Sequence, residues 1–387
     1  MDTCLRHASY DPWQFPSAQC SITDTPSPDG SQFHGSAEDF RRVTLSVFNE
    51  AGLLRHFNVP EARATRFFDR VYELYGANPY HNALHGQDVL SAAHCLMQQL
   101  RKLRHGPFTP LEVLALYVAA LGHDAGHFGV NNAYLVNSRH ALYKKSPTST
   151  LENFHARTLA GVLTHPEDGL VDCLFSDDGA EASVGRGCQR ELFLDKVNRL
   201  VLATDMAQHK GLFGEFVGWV DGELTEGRGD SDGDCDSGGG GGDGGGGEDD
   251  DSQASPWQQP LILDESQRMS LLVMTLKCAD LSNLVQHLPL ADSWGHRIME
   301  ENLAQGVLEE RESVTQTTTP SREAATKNYY NHQAGFLEFV VKPLFEKYCV
   351  FTSSAFRCRV LEIAATNLVT WRQKHIEANG LGDEEAK

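Results

Sequence analysis

Paired cysteines are missing from this chain. Its nine cysteines (Cys4, Cys20, Cys95, Cys173, Cys188, Cys235, Cys278, Cys349, Cys358) are scattered, odd in number and never spaced as CxxC. That excludes a disulfide framework and a zinc ribbon. Long apolar runs are missing too: no stretch approaches the roughly 18 residues that a membrane helix needs, and the N-terminus has no apolar core of signal-peptide length. Asp2 follows Met1, which excludes N-myristoylation, and the C-terminus carries no prenylation box. There is no basic patch, so duplex nucleic acid is excluded as the natural partner. These absences point to a soluble protein in a reducing, cytoplasmic setting with no transmembrane segment.

What is present is enough apolar residue for a large core, 40% of 387. The formal charge is −20, but it is unevenly spread. Between Asp221 and Asp251 twelve acidic residues face one Arg228, a net of −11, so the remainder carries only −9. Residues 1–36 are rich in Ser, Pro, Asp and Gln and read as a mobile tail, a place for a regulatory partner or a second copy to bind. Low-complexity Gly/Asp/Ser sequence fills 221–256 and reads as an insertion, because helical sequence resumes beyond it. Its DxDxD-like spacing from Asp230 to Asp236 suggests calcium, but the closing Glu and the flanking helices of an EF-hand are absent. A solvated insertion is the preferred reading. Residues 379–387 read as a frayed end, leaving one domain over 37–378.

Within that domain the apolar residues recur at helical intervals. Val43, Leu45, Phe48, Leu53, Leu54 and Phe57 form one stripe, and Phe67, Phe68, Val71, Leu74 and Tyr75 another. Asn78 and Pro79 have the chemistry of an N-cap and a first helical residue, so a helix is expected from Pro79 through Leu100. Thr109-Pro110 opens the next, Ser149-Thr150-Leu151-Glu152 reads as a capping box, and further helices are expected at 190–209, 265–287, 292–306, 328–349 and 354–378. No convincing strand pattern or internal repeat occurs. The fold class is all-α.

A helix over 79–100 would place His81, His85 and Asp88 at i, i+4 and i+7 on one face. The helix from Thr109 runs into His123-Asp124. The stripe of Met269, Leu272, Val273, Leu276 and Ala279 is extended by Asp280, a carboxylate that is costly to bury unless paired or metal-bound. A lone histidine beside an apolar helix is more often a core residue than a ligand, and Glu152 or Phe336 alone read as cap and core. Jointly, His85, His123, Asp124 and Asp280 offer two imidazoles and two carboxylates, a set suited to Zn²⁺ with open positions. A shared carboxylate could also hold Mg²⁺ or Mn²⁺. Two such ions would activate water and clamp a phosphate. His81, near His85, has the titration range of a proton donor.

Seven segments (YHNALHGQDV, GHDAGHFGVNN, LENFHA, LATDMAQH, KCADLSN, WGHRIMEE and HQAGFLEFVVKPLFEKY) occur in one order from Tyr80 to Tyr348. Together they resemble the catalytic domain of the class I 3′,5′-cyclic nucleotide phosphodiesterases. The resemblance implies a compact, all-helical, HD-type domain that hydrolyses a cyclic nucleotide to its 5′-monophosphate. It implies two divalent ions, Zn²⁺ and Mg²⁺ (or Mn²⁺), held by His85, His123, Asp124 and Asp280 with Asp124 bridging. It makes His81 the general acid for the 3′ oxygen. His127, Glu152 and Asp205 match residues that order waters around the second ion, with Glu152 hydrogen-bonding His81. Gln333 and Phe336 match the base-recognition pair, Ile298 the opposite wall, Asn283 a polar contact, and Met206 and Tyr80 further substrate-side residues. Asn283 after Asp-Leu-Ser resembles the members that favour cAMP, with cGMP or both as the alternative.

The chain departs from the family pattern at several positions. Gly126 and Phe128 stand where Asp and Pro are usual, Phe154 where His is often found, and Gly86 where Ala is commoner. Gly295 stands where a larger residue is common, which is expected to widen the base pocket. Two other readings compete: a different HD-type metal phosphohydrolase, and an inactive cyclic-nucleotide-binding scaffold.

Overall fold

The computed structural model describes residues 36–101, 107–175, 183–226 and 262–380, omitting the side chains of 101, 183–186 and 224–226. The expected tail, most of the acidic insertion and the last residues lie outside that set. All regular structure among the described residues is helical.

The first helices, α1 (Ala37–Glu50), α2 (Leu53–His56) and α3 (Glu61–Leu74), bury the stripes that periodicity picked out, including Phe40, Phe48, Phe67, Phe68 and Val71. They pack on α4 (Ala83–Arg101) and α5 (Pro110–Gly122). Every described residue of α5 from Glu112 to Gly122 is buried, which is why its sequence is apolar almost all round. Then come α6 (Asn132–Asn137), α7 (Ala141–Lys145), α8 (Thr150–Leu163), α9 (Val171–Leu174), α10 (Ser183–Leu202) and α11 (His209–Glu226). The last five are α12 (Glu265–Asp280), α13 (Leu288–Arg311), α14 (Arg322–Phe336), α15 (Lys342–Tyr348) and α16 (Ser354–Asn379).

The differences from the sequence expectations are local. Helix α4 begins at Ala83, four residues after Pro79, because Asn82 rather than Asn78 accepts the first free amide, that of His85 (3.1 Å). Asn78 instead donates to the carbonyls of His81 and His127 (2.9 and 2.7 Å). The expected helix over 265–287 stops at Asp280, and α11 extends to Glu226, into the stretch assigned to the insertion. The expected 328–349 helix is two helices joined by a π turn over Leu337–Val341.

Helices α4, α5 and α12 pack on one another at the centre. One end of this trio is fastened by charge. Glu112, in the first turn of α5, forms a true capping box with Thr109 and receives Arg268 of α12 (Nε 3.1 Å) and Lys196 of α10 (Nζ 3.5 Å). Burial pushes the Glu112 carboxyl up, but the Thr109 amide and Arg268 more than offset this and hold it below its ordinary value. Pinned at that end, α5 and α12 deliver their C-termini together at the other.

Between α4 and α5, Gly86 leaves a gap that the Tyr75 hydroxyl fills as it donates to the Leu121 carbonyl (2.8 Å). A Cβ at 86 would lie 2.7 Å from that carbonyl and 2.8 Å from the hydroxyl. Gly86→Ala is therefore expected to destabilise the chain by about 1–3 kcal/mol through overpacking. Urea denaturation measures it; an unchanged or raised midpoint would contradict the packing described.

Candidate metal centre and its acid

His85 enters from the first turn of α4, His123 and Asp124 from the end of α5, and Asp280 from the last residue of α12. His85 Nε2 lies 3.1 Å from Asp280 Oδ1 and 3.6 Å from Asp124 Oδ2. His123 Nε2 lies 3.0 Å from Asp124 Oδ2 and 3.4 Å from Asp280 Oδ1. The four donors anticipated from sequence thus converge in one buried cluster.

The cluster is built for a cation. His123 Nδ1 donates to the Ala120 carbonyl (3.0 Å), which leaves Nε2 as the nitrogen with the lone pair. That Nε2 is buried with no hydrogen-bond partner, since Asp124 is close but poorly aligned. Burial disfavours charge on His123, yet Asp124 and Asp280 outweigh it and raise its pKa well above the ordinary imidazole value. Burial likewise opposes ionisation of Asp124 and Asp280, but His123 and its neighbours drive both carboxyls low. A site that pulls a proton in this strongly between two carboxylates fits a divalent ion chemically.

A second orphaned imidazole lies behind it. His155 Nδ1 donates to the Ala125 carbonyl (2.8 Å), and its buried Nε2, 3.9 Å from Asp124 Oδ1, has no hydrogen-bond partner. Burial lowers its pKa to about 4, so the ring is neutral. His127 stacks between His155 and His81, with ring centroids 5.4 and 4.0 Å away. Its Nδ1 accepts from the Gly129 amide (3.0 Å), and burial followed by the His81 charge keeps it neutral as well.

His81 lies outside the helix, so the shared helical face anticipated for His81, His85 and Asp88 does not exist. Its position is set by Glu301 of α13. One Glu301 oxygen pairs with His81 Nδ1, and the other accepts the amides of Tyr80 and His81, both at 3.0 Å. The expected bond from Glu152 to His81 is replaced by this one. Burial opposes the imidazolium, but Glu301 and Asp124 overcome it and raise the His81 pKa from 6.5 to about 9. Glu301 correspondingly falls to about 2, burial notwithstanding, because of His81. A divalent ion among the donors would repel the imidazolium and draw its pKa back down.

Glu152 sits at the other side. The capping box expected at Ser149 is not formed: Ser149 has a left-handed backbone (φ 47°), and its hydroxyl donates to Asp205 Oδ2 (2.7 Å). Glu152 is instead held by the amide of Asn132 (3.1 and 3.0 Å). Burial raises its pKa to about 7, the Asn132 amide opposes this, and Asp205 adds to the rise. Asp205 also accepts the Ala207 amide (2.9 Å), and Met206 beside it is exposed.

On the base side, the Tyr80 ring packs against His85 (4.6 Å) and Trp294 (5.5 Å). Its hydroxyl accepts from Asn283 Nδ2 (2.7 Å), leaving Asn283 Oδ1 buried without a partner. Gly295 does not widen the pocket. Tyr329, tethered to the Asp292 carbonyl (3.1 Å), puts its hydroxyl 2.2 Å from where a Cβ would stand, and Gln333 approaches that point to 3.0 Å. Ile298 lies one turn beyond Gly295, and Gln333 and Phe336 lie in the last turns of α14, all three half-buried. Three of the other departures also meet: Gly126 (φ +81°) leaves room for Phe154, whose ring would be 2.9 Å from a Cβ, and Phe128 packs on Phe154 at 6.0 Å.

Sequence reasoning missed Glu301, His155 and Asn132. Glu301 carried the same signal as Asp280, a carboxylate among apolar positions of a helix, and it sits inside a quoted motif.

A family model described as 3′5′-cyclic nucleotide phosphodiesterase matches residues 80–359. The chain is 29% identical over 307 residues to 3′,5′-cyclic-AMP phosphodiesterase 4C of Mus musculus, covering 79% of this chain and 38% of that protein. It is 27% identical over 306 residues to the probable 3′,5′-cyclic-AMP phosphodiesterase pde-4 of Caenorhabditis elegans, covering 79% and 39%. The chain therefore spans well under half the length of these relatives. In fold it is similar to the phosphodiesterase domain of a RhoPDE fusion protein from Salpingoeca rosetta, with a TM-score of 0.69 at 22% identity over 97% of this chain and 98% of that one.

The His81–Glu301 pair makes a pH prediction. The folded-state pKa of about 9 exceeds the ordinary 6.5, so protonated His81 stabilises the fold fully below about 6.5, and that contribution fades as pH rises through about 9. In metal-stripped protein, NMR of the His81 ring is expected to show titration near 9, and Glu301→Gln to move it back toward the ordinary imidazole value. An unmoved titration would mean that Glu301 does not hold the proton.

Proposed function

The chain belongs to the 3′,5′-cyclic nucleotide phosphodiesterase family, and from that premise we propose that it hydrolyses a 3′,5′-cyclic nucleotide, cAMP by preference, to the 5′-monophosphate. The observation that carries this reading is an imidazole paired with Glu301, its pKa raised to about 9, beside the converging donors His85, His123 and Asp280, with Asp124 against both histidines.

His85, His123, Asp124 and Asp280 would hold the divalent ions, Zn²⁺ and Mg²⁺ or Mn²⁺, with His127, Glu152 and Asp205 as the further polar groups of the site. When bound, the ions supply Lewis acidity toward the phosphate and lower the pKa of water. His81 keeps one nitrogen on Glu301 and gives the proton on the other to the departing 3′ oxygen. Glu301 holds both the ring and the backbone that carries it, so the acid is positioned before substrate arrives. Gln333 reads the purine edge, Phe336 stacks on its face, and Ile298 closes the opposite side. The preference for cAMP is supported by Asn283 Oδ1, a buried acceptor without a partner that suits the amino group of adenine, and by the cAMP named for the relatives. A cytoplasmic setting agrees with the free thiols of Cys173, Cys188, Cys278, Cys349 and Cys358 among the described residues. Residues 1–36 would take a regulatory partner or a second copy.

The test incubates Zn/Mg-loaded protein with cAMP and cGMP separately. Turnover of both is expected to be abolished by chelation, with the larger kcat/KM for cAMP. His81→Ala is expected to lower kcat by about 10²–10⁴-fold at unchanged metal content; full turnover would remove His81 from the chemistry. Binding of either nucleotide without hydrolysis under every metal condition would instead favour a scaffold.

A further inference from the structure

Among the buried cations of the described residues that this chemistry does not use, Lys277 is the most completely enclosed, 2% exposed on α12 one turn before Asp280. An ammonium is costly to bury without partners. Among the described residues its one hydrogen bond runs from Nζ to the Ala203 carbonyl (2.9 Å), two residues before Asp205. No carboxylate of the described residues lies within ion-pair distance of it, so part of its donor capacity is unspent among them. Its geometry ties it to the site from two sides: it lies one turn before Asp280 on α12, and the Ala203 carbonyl that it holds leads into Asp205. Burial lowers the Lys277 pKa, and the charges of Asp280 on its own helix, Asp205 after α10 and Glu152 on α8 oppose that. On the remaining side stands His209 of α11, whose buried Nδ1 has no partner; burial and then the Lys277 charge hold that ring toward its neutral form.

The tether to Ala203 keeps the ammonium from swinging onto any one carboxylate. Asp205 is equally fixed, by the Ser149 hydroxyl on one oxygen and the Ala207 amide on the other. The Lys277 charge is therefore held one turn from Asp280 and beside the turn that leads into Asp205, and it acts on Glu152 as well. We propose that Lys277 is a fixed counter-charge for Asp280, Asp205 and Glu152, which holds that side of the site in shape before a divalent ion binds and weakens the grip on the ion once it has bound. Like charges in a poorly screened interior repel over several ångströms, so the same group that preserves the empty site speeds exchange of the ion. This rests on the metal reading above, but it differs in sign from a merely structural role. A tie between α12 and the turn before Asp205 would tighten metal binding, whereas a counter-charge loosens it.

The experiment uses the full chain stripped by chelator and titrated calorimetrically with Mn²⁺, with thermal denaturation recorded in both states. Lys277→Gln retains a donor for the Ala203 carbonyl and removes the charge. It is expected to bind Mn²⁺ at least about tenfold more tightly, to melt lower than wild type when metal-free, and to gain more from added Mn²⁺ than wild type does. Lys277→Arg is expected to behave as wild type. Lys277→Met, which also loses the donor, separates the two effects: its metal-free melting falls further, but its Mn²⁺ affinity still rises. Equal or weaker Mn²⁺ binding by Lys277→Gln, or a stability loss that Mn²⁺ does not reduce, would overturn the counter-charge. Wild-type protein that binds no Mn²⁺ would overturn the metal site itself.

Discussion

Buried carboxylates that face one another require positive charge between them, and the architecture around Asp124 and Asp280 follows from that requirement. Both side chains are largely enclosed, because Asp280 ends α12 and Asp124 directly follows α5, two helices that contribute heavily to the core. One imidazole, His123, arrives with Asp124 at the end of α5, and α4 brings the other, His85. The far ends of α5 and α12 are joined through Glu112, Arg268 and Lys196, so the two carboxylates come to the same place with little freedom. In the absence of a metal, Asp124 and Asp280 favour a proton on His123; a divalent ion would take over that role and release it.

The same electrostatics reaches the acid. His81 is raised to about 9 by Glu301 and by Asp124, so the carboxylate that would bridge the ions also helps keep the acid protonated. His127 and His155 remain neutral beside it and stack without competing for the proton. Acid and cation site are thus one charge system rather than two adjacent features, and their pKa values move together.

Much of this was legible in the sequence. Helical periodicity located the stripes of α1, α3, α4, α5 and α12, and the position of Asp280 at the end of an apolar stripe correctly marked a buried, charge-compensated carboxylate. What was not legible depended on contacts distant in sequence. Asn78 and Asn82 are equally plausible caps locally; the carbonyls of His81 and His127 claim Asn78, so α4 starts later and His81 leaves the helix. Ser149 has capping chemistry, but Asp205, far along the chain, takes its hydroxyl. Gly295 read as a space in the pocket because nothing in the sequence shows that Tyr329 fills it. Glu301 was overlooked because its partner lies more than 200 positions earlier.

The central claim is that water attacks phosphorus while His81 releases the 3′ oxygen. Its most direct measurement is hydrolysis of cAMP in ¹⁸O-labelled water by the metal-loaded chain, followed by mass spectrometry of the product. The account predicts 5′-AMP carrying one ¹⁸O on its phosphate. A 3′-monophosphate, or a 5′-monophosphate without the label, would contradict it.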